Sequence, residues 1–202
     1  FSALGAGAPK PDCPQFGQLA HSGVESFYHF EPELGKTEVS IEVLWDLPQQ
    51  NDSLQGQQEE LLRHMGTMIM GYRLQKIQEE KDSPLTEASY SAGDIVGRIG
   101  YGSISGQAKK EKWQDLLFLL DKNLRQAIDH VFADMEVKRE KKDILAKLDA
   151  NVLTAKSEDS RKIAQQVLSH IAKNRVYQSA TQEKTIYAPI IAAITPEQVN
   201  HA

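Results

Sequence analysis

The sequence is poor in the features that mark disulfide scaffolds and membrane-spanning chains. Cys13 is the single cysteine among 202 residues, so no internal disulfide can hold the fold together. That scarcity does not fix the cellular compartment, because many periplasmic proteins also lack disulfides. No run of about 18 apolar residues occurs, which excludes a membrane-spanning helix from this sequence. With 13 Gly, 8 Pro and 40% hydrophobic residues, the composition is typical of a globular domain and excludes collagen and low-complexity disorder.

An excess of positive charge is also missing. Lys and Arg number 23 against 28 Asp and Glu, which gives a formal net charge of −5. Nucleic-acid binding by bulk charge is therefore not expected. Two short basic runs, at 109–112 and 138–142, are interleaved with glutamate and fall in helical stretches. We interpret both runs as solvated helix faces, with a patch for an anionic ligand as the alternative.

The sequence motifs of common catalytic and metal sites are absent as well. There is no HExxH and no HxxEH, and the six histidines lie far apart in the sequence. His64 and Glu60 share a helix face, but one such pair is far short of a zinc site. Gly102 to Gly106 resembles a serine-hydrolase elbow, yet Ile104 stands where the nucleophilic serine belongs. We therefore predict no catalytic residue and no metal ligand in this sequence.

Four segments have the composition and period of β-strands. Val24–Phe30 is rich in aromatic residues, and Thr37–Trp45 alternates apolar and polar side chains, which predicts a first antiparallel pair. Residues 86–94 and 95–108 predict a second pair. The last of these segments is rich in glycine, which is typical of bulges or of close approach by another backbone.

Helical periodicity accounts for most of the remaining sequence. Apolar residues spaced by threes and fours predict a long amphipathic helix over 54–80. After Lys110 the chain is predicted to be helical almost to its end, with helices capped at Asp134, within 157–160 and at Ser179. The apolar stripes predict that both tryptophans, Trp45 and Trp113, are largely buried.

The two ends of the sequence differ from its middle. Residues 1–23 are rich in Gly, Ala, Pro and Ser and show no period, which predicts a linker or an irregular arm. Thr195, Pro196 and Gln198 form a helix-start signature, with about two turns of sequence after it. We expect residues 195–202 to begin a helix that continues in a longer polypeptide, and to add little stability. Residues 24–194 are expected to form a single domain.

The sequence resembles a known protein family over about residues 24–202. Four stretches carry this resemblance through their order and spacing. They are Phe30-Glu31-Pro32-Glu33, Leu61-Leu62 through Tyr72-Arg73-Leu74 to Glu79, Ser83-Pro84-Leu85-Thr86-Glu87-Ala88, and Ile194-Thr195-Pro196-Glu197-Gln198-Val199. Together they resemble the non-catalytic domain of the pitrilysin-type, or insulinase-like, zinc metallopeptidases, the inverzincin family, and in particular a bacterial zinc protease.

The resemblance implies an α+β domain, an antiparallel sheet with helices mainly on one face, as in LuxS and the mitochondrial processing peptidases. In that family zinc is held by HxxEH and a downstream Glu in another domain, so no cofactor is expected here and the zinc belongs to the parent enzyme. The implied function is a substrate-shaping domain of a zinc metalloendopeptidase. Its implied partners are the catalytic domain of the same chain and a peptide substrate, without nucleic acid or a membrane span, in a periplasmic or exported protein. The alternative is a scaffold or peptide-binding module of the same fold in a protein without protease activity.

Two residues are implied as substrate contacts. Some family members place an Arg on the long helix and a Tyr nearby, where both touch the substrate backbone. Arg73 matches the position of the Arg, and Tyr90 is the nearest tyrosine, although it lies farther along the sequence than in the family pattern. The alternative interpretation of Arg73 is structural, as a partner of Glu79, Glu80 or the C-terminus of its helix.

Overall fold

The computed structural model describes residues 19, 22–47, 52–95 and 97–202, and within these ranges the fold is α+β. Three strands form one antiparallel sheet in the order β1-β3-β2. They are β1 (Lys36–Asp46), β2 (Glu87–Ile95) and β3 (Ile99–Lys109). The predicted fold class is confirmed. Cys13 and nearly all of the predicted linker 1–23 lie outside the described residues.

The predicted strand at Val24–Phe30 is wrong, because this segment has no regular secondary structure. Val24, Phe27 and Tyr28 are almost fully exposed. Aromatic residues favour a strand when one face of it is covered by the protein. All seven residues of this segment are exposed, so its composition gives no strand.

Alternation along the three strands gives the sheet two different faces. The inner face, which includes Val39, Ile41, Tyr90 and Ile104, packs against the helices and the core. The opposite set of residues forms what we call the outer face. Its members, in cross-strand rows, are Glu38, Gln107 and Glu87; Ser40, Ser105 and Ser89; Glu42, Ser103 and Ser91; Leu44, Tyr101 and Gly93.

Six α-helices and two 3₁₀ turns make up most of the remaining described chain. The helix predicted over 54–80 is present with nearly the expected bounds. The α-helices are α1 (Leu54–Gln78), α2 (Trp113–Asp129), α3 (Asp134–Thr154), α4 (Ser160–Ala172), α5 (Ala180–Ala193) and α6 (Pro196–His201); the 3₁₀ turns span Lys110–Lys112 and Ala155–Ser157.

The helix starts follow capping chemistry closely. Ser179 and Thr195 each accept a hydrogen bond from the backbone N–H of a glutamine three residues later, as their sequence signatures predict. Asp159 caps α4, within the predicted range. The predicted cap at Asp134 is wrong by one residue: Ala133 is the cap, and Glu136 accepts its backbone N–H instead.

The hydrophobic core lies between the inner face of the sheet and α1. Helix α1 contributes the largest share of buried side chains, and α2, α3 and α6 close the core around it. The fully or nearly buried apolar residues include Met65, Ile69, Met70 and Leu74 of α1, Ile104 of β3, Leu116 and Leu120 of α2, and Val137 of α3.

Helix α6 is packed against this core, which differs from the expectation that residues 195–202 add little. Val199 is only 3% exposed, and its side chain lies against Gly66 of α1. The side chain of Asn200 accepts a hydrogen bond from the backbone N–H of Phe132 at 3.3 Å. The short helix therefore gains its stability from tertiary packing and not from its length.

The prediction of two buried tryptophans is wrong. Trp45 is 38% exposed and Trp113 is 47% exposed. Trp45 is near the end of β1, where its ring covers Gly100 of the neighbouring strand. Trp113 is the first residue of α2. Both residues lie on apolar stripes, but at ends of elements where the opposing layer no longer covers them.

Candidate functional site

A largely apolar cavity of about 340 Å³ lies between the inner face of the sheet and helices α1, α2 and α6. We call it the inner cavity. Small residues create part of its space; they are Gly66, Ala92, Gly102 and Ala127. Few polar side chains enter it; they are Arg63, Thr67, Tyr90 and Asn200. A concave apolar wall with a few polar groups is the usual composition of a ligand site.

Tyr90 is the predicted site residue that lines the inner cavity. The alternation of β2 turns it inward, between the exposed residues Ser89 and Ser91. Its hydroxyl passes over Gly102, where an added Cβ would lie 3.8 Å from the oxygen. Burial raises the pKa of the phenol, so the hydroxyl stays protonated near neutral pH and can donate a hydrogen bond.

Arg73 is held in an ion pair with Glu136. Its Nε and Nη2 donate to the two carboxylate oxygens, each at 2.7 Å, and both side chains are less than a third exposed. These hydrogen bonds lower the pKa of Glu136, and the backbone N–H of Ala133 lowers it further. The pair ties α1 to the start of α3. The partner is thus neither Glu79 nor Glu80, the two carboxylates considered from the sequence.

The structure does not bring Arg73 and Tyr90 into one cavity. Arg73 is not part of the lining of the inner cavity, whereas Tyr90 is. The guanidinium lies over the ring of Phe132, with its central carbon 4.9 Å from the ring centroid. Because Phe132 also lines the cavity, Arg73 supports one wall of it from behind.

No group of three or more His, Cys, Asp or Glu residues is placed to hold a metal ion in the part of the chain that the structure describes. His64 is exposed, and partial desolvation of its imidazole, assisted by Lys147, lowers its pKa against the opposing effect of Glu60. His170 contacts Tyr177 edge to face, and its Nδ1 lies 2.8 Å from the carbonyl oxygen of Gln166. The contacts of His170 are those of a structural histidine.

One buried carboxyl group was not anticipated. Glu140 of α3 is 3% exposed, and its Oε2 has no hydrogen-bond partner among the described residues. Burial raises the pKa of this carboxyl, and the nearby Asp143 adds to the effect. Lys138, Arg139 and the other basic residues of the run 138–142 are exposed or half-buried. The predicted solvated face is therefore present, with a buried acid in its middle.

Sequence reasoning missed the inner cavity because the glycines of β3 were interpreted as bulges or as sites of close approach by another backbone. Gly100, Gly102 and Gly106 differ by even numbers, so they share one face of the strand. That spacing is a usable signal for a sheet face without side chains. At Gly106 a helix packs closely against this face and fills the space that the missing side chain leaves. At Gly102 part of that space remains open and belongs to the inner cavity.

The fold is shared with several solved proteases. The first half of the periplasmic protease PqqL from Escherichia coli matches with a TM-score of 0.74 and 19% sequence identity, over 84% of this chain and 36% of that chain. A peptidase M16 inactive domain from Pseudomonas fluorescens matches with a TM-score of 0.58 and 15% identity, over 81% and 37% of the two chains. The ferredoxin protease FusC, solved as a mutant in complex with Arabidopsis ferredoxin, matches with a TM-score of 0.57 and 12% identity, over 83% and 17%.

These likenesses show which fold the chain has and what share of each solved protein it corresponds to. The chain spans about a third of the length of the PqqL first half. No family model matches the sequence, and no curated protein matches it either. Helices long and apolar enough to cross a bilayer do not occur among the described residues.

Proposed function

We propose that this chain is a non-catalytic, substrate-shaping domain of a zinc-dependent metalloendopeptidase that hydrolyses peptides. The observation that carries the proposal is that 84% of this chain matches one part of the PqqL first half, while its sequence contains no HxxEH motif. The zinc and its HxxEH would then lie in another domain of the parent chain. The M16 inactive domain with the same fold supports a role without chemistry.

The partners follow from this role. The catalytic domain of the same parent chain is one, and a peptide substrate is the other; the complex of FusC with ferredoxin is a precedent for a protein substrate on a neighbour of this fold. The periplasmic location of PqqL supports an exported parent. Residues 24–194 are proposed as the domain, with 1–23 as its connection to the preceding part. Residues 195–202 are proposed as the start of a longer helix, whose buried Val199 packs on the core of the domain.

Tyr90 and Arg73 are proposed as the residues that affect substrate binding. Tyr90 would act directly, because its protonated hydroxyl lines the inner cavity. Arg73 is engaged by Glu136 through two of its nitrogens, so its contribution would come through the third nitrogen or through the Phe132 wall. In the parent enzyme, Y90F should raise KM for a peptide with little change in kcat, because the proposed contact binds the peptide and takes no part in the reaction itself.

The test compares the isolated chain with its parent. Quenched fluorescent peptides and zinc calorimetry applied to the 202-residue chain should give no turnover and no stoichiometric zinc site. The full-length parent should cleave the same peptides and lose activity when zinc is chelated. Turnover by the isolated chain would overturn the proposal. A parent without HxxEH that binds peptides uncut would favour the scaffold or peptide-binding alternative.

A further inference from the structure

The outer face of the sheet is uncovered within the described part of the chain. Helices α1 and α2, which contact the strands, pack on the inner face around Ile41, Tyr90 and Ile104. On the outer face the edge-strand residues Ser40 and Ser89 are exposed. A sheet with one face on the core and the other open is a usual arrangement, so openness alone does not identify a partner.

Carboxylates lie along most of this face, and two lysines, Lys36 and Lys109, occupy the cross-strand row at one end of it. Glu38, Glu42 and Glu87 stand on it, and none of them has an ion-pair partner among the described residues. Glu42 accepts only a long hydrogen bond, 3.4 Å, from the hydroxyl of Ser103. Lys36 donates to Gln107, which lies between Glu38 and Glu87 in the neighbouring cross-strand row. Negative charge on the outer face is therefore uncompensated mainly around Glu42, three rows away from the Lys36–Lys109 pair.

Hydroxyl groups fill the spaces between these carboxylates. Five serines occupy two neighbouring cross-strand rows, and Ser89 and Ser105 are hydrogen-bonded to each other at 2.9 Å. Serines are small, so the face stays flat enough for an extended segment to lie across it. Each hydroxyl can both accept and donate a hydrogen bond.

One end of the face forms a shallow depression of about 530 Å³ with both polar and apolar walls. Its lining residues are Glu42, Leu44, Ser91, Asp94, Ile95, Tyr101 and Ser103. Leu44 and Ile95 are half-exposed there, and a carboxylate lies on each side strand. An apolar floor beside carboxylates suits a lysine or arginine side chain, whose aliphatic stem packs while its charged end reaches an acid.

We propose that the outer face docks a segment of peptide substrate that carries lysine or arginine, with one basic side chain in the depression beside Glu42. The inference rests on the proposed function for the presence of a peptide substrate, and it adds the class of side chain that is recognised. The bound cation would contact Glu42 while the peptide backbone exchanges hydrogen bonds with the serine hydroxyls.

The experiment measures binding to the isolated 202-residue chain, so it does not depend on any catalytic domain. The probe is a fluorescein-labelled ten-residue peptide of alternating Lys and Thr, and the matched probe has Glu in place of Lys. Fluorescence anisotropy should show binding of the lysine peptide that weakens as NaCl rises, and none of the glutamate peptide.

Variants locate the binding on the molecule. E42Q should weaken binding of the lysine peptide about threefold, and E38Q combined with E42Q about tenfold, which is the range for exposed charge pairs. Ser91→Lys adds a cation at the depression and should weaken binding further. The control is D129N on α2, which removes one negative charge on the side of the sheet opposite to the outer face. It should leave the affinity unchanged.

Three results would overturn the proposal. The first is no binding of the lysine peptide at low salt. The second is an equal loss in D129N and E42Q, which would mean attraction to the net charge of −5 only. The third is unchanged binding in Ser91→Lys with a native circular dichroism spectrum. A parent enzyme that still cleaves peptides while its outer face fails this test would leave the proposed function standing and reject the docking surface alone.

Discussion

The buried carboxyl group of Glu140 should limit the stability of this protein. The side chain is 3% exposed, and Oε2 has no hydrogen-bond partner in the part of the chain that the structure describes, so folding removes a carboxyl from water without full compensation. Its neighbours on one side of α3 are the buried Val137 and the half-buried Ile144. Methionine has a similar length and no polar oxygens, so E140M keeps the packing and removes the desolvation cost.

The expected gain in the free energy of unfolding is about 1–3 kcal/mol near pH 8, the usual cost of an unsatisfied buried polar group. For a chain of this length, each kcal/mol corresponds to roughly 2–4 °C in the melting temperature. E140Q keeps a polar group in place but cannot ionise. It should therefore recover the part of the gain that depends on charge.

The sign of the pH dependence follows from the direction of the pKa shift. Burial, with Asp143 adding to it, raises the pKa of Glu140 in the folded state. A raised carboxyl pKa contributes stability that is fully present below the unfolded pKa, at about pH 4, and is lost as pH rises through the folded pKa. The advantage of E140M over the natural chain should therefore be small near pH 4 and reach its maximum at pH 8.

Urea unfolding followed by circular dichroism at pH 4, 6 and 8 measures these differences, with the slope m compared between variants to verify that the same surface is exposed. The matched control is E111M, which replaces an exposed glutamate in the first 3₁₀ turn and should change little. An E140M protein that is less stable than the natural chain at pH 8, or an advantage independent of pH, would refute the reasoning.

Four further predictions use the same unfolding assay. A double-mutant cycle of R73A and E136A should give a coupling of about 1–2 kcal/mol; because the pKa of Glu136 is lowered, the coupling is present above the unfolded carboxyl pKa and lost as pH falls. V199A should lower the free energy of unfolding by about 1–2 kcal/mol, since the side chain is buried. An unchanged free energy of unfolding would mean that residues 195–202 contribute little to stability. Gly106→Ala should cost about 1–3 kcal/mol, because its Cβ would lie 2.9 and 3.0 Å from two leucine side chains. Gly71→Ala, with nothing within 4 Å, should stabilise by up to about 1 kcal/mol.

The elements that could be predicted from the sequence are those in which one strong local signal decides the structure. The period of α1 is long enough to outweigh Gly66 and Gly71, and the capping residues Ser179 and Thr195 fix the starts of their helices. Strand β1 is predicted because its alternation is complete over the region that the core covers. In these cases tertiary structure agrees with local preference.

The predictions from the sequence are wrong where the structure depends on whether another element covers the residue. The segment Val24–Phe30 has strand-like composition but pairs with no strand in the described part of the chain. Trp45 and Trp113 lie on the correct stripes but at uncovered ends. Glu140 is the opposite case. Its neighbours in the sequence are charged, yet Glu140 is the residue of that run that faces the core, because it follows the buried Val137 by one helical turn. A run of charged residues indicates that most of its side chains face solvent, but it does not show in which direction any one side chain points.

The period of the strands also separates the two ligand proposals from each other. Tyr90 points to the inner cavity, whereas its neighbours Ser89 and Ser91 belong to the outer face, so the sheet itself stands between the two surfaces. A basic peptide on the outer face cannot reach the tyrosine hydroxyl without passing the edge of β2. Y90F should therefore leave the affinity for the lysine peptide unchanged while E42Q lowers it, as measured by anisotropy. If both variants lose affinity equally, the segment crosses the β2 edge and contacts both faces, and the assignment of separate surfaces is wrong.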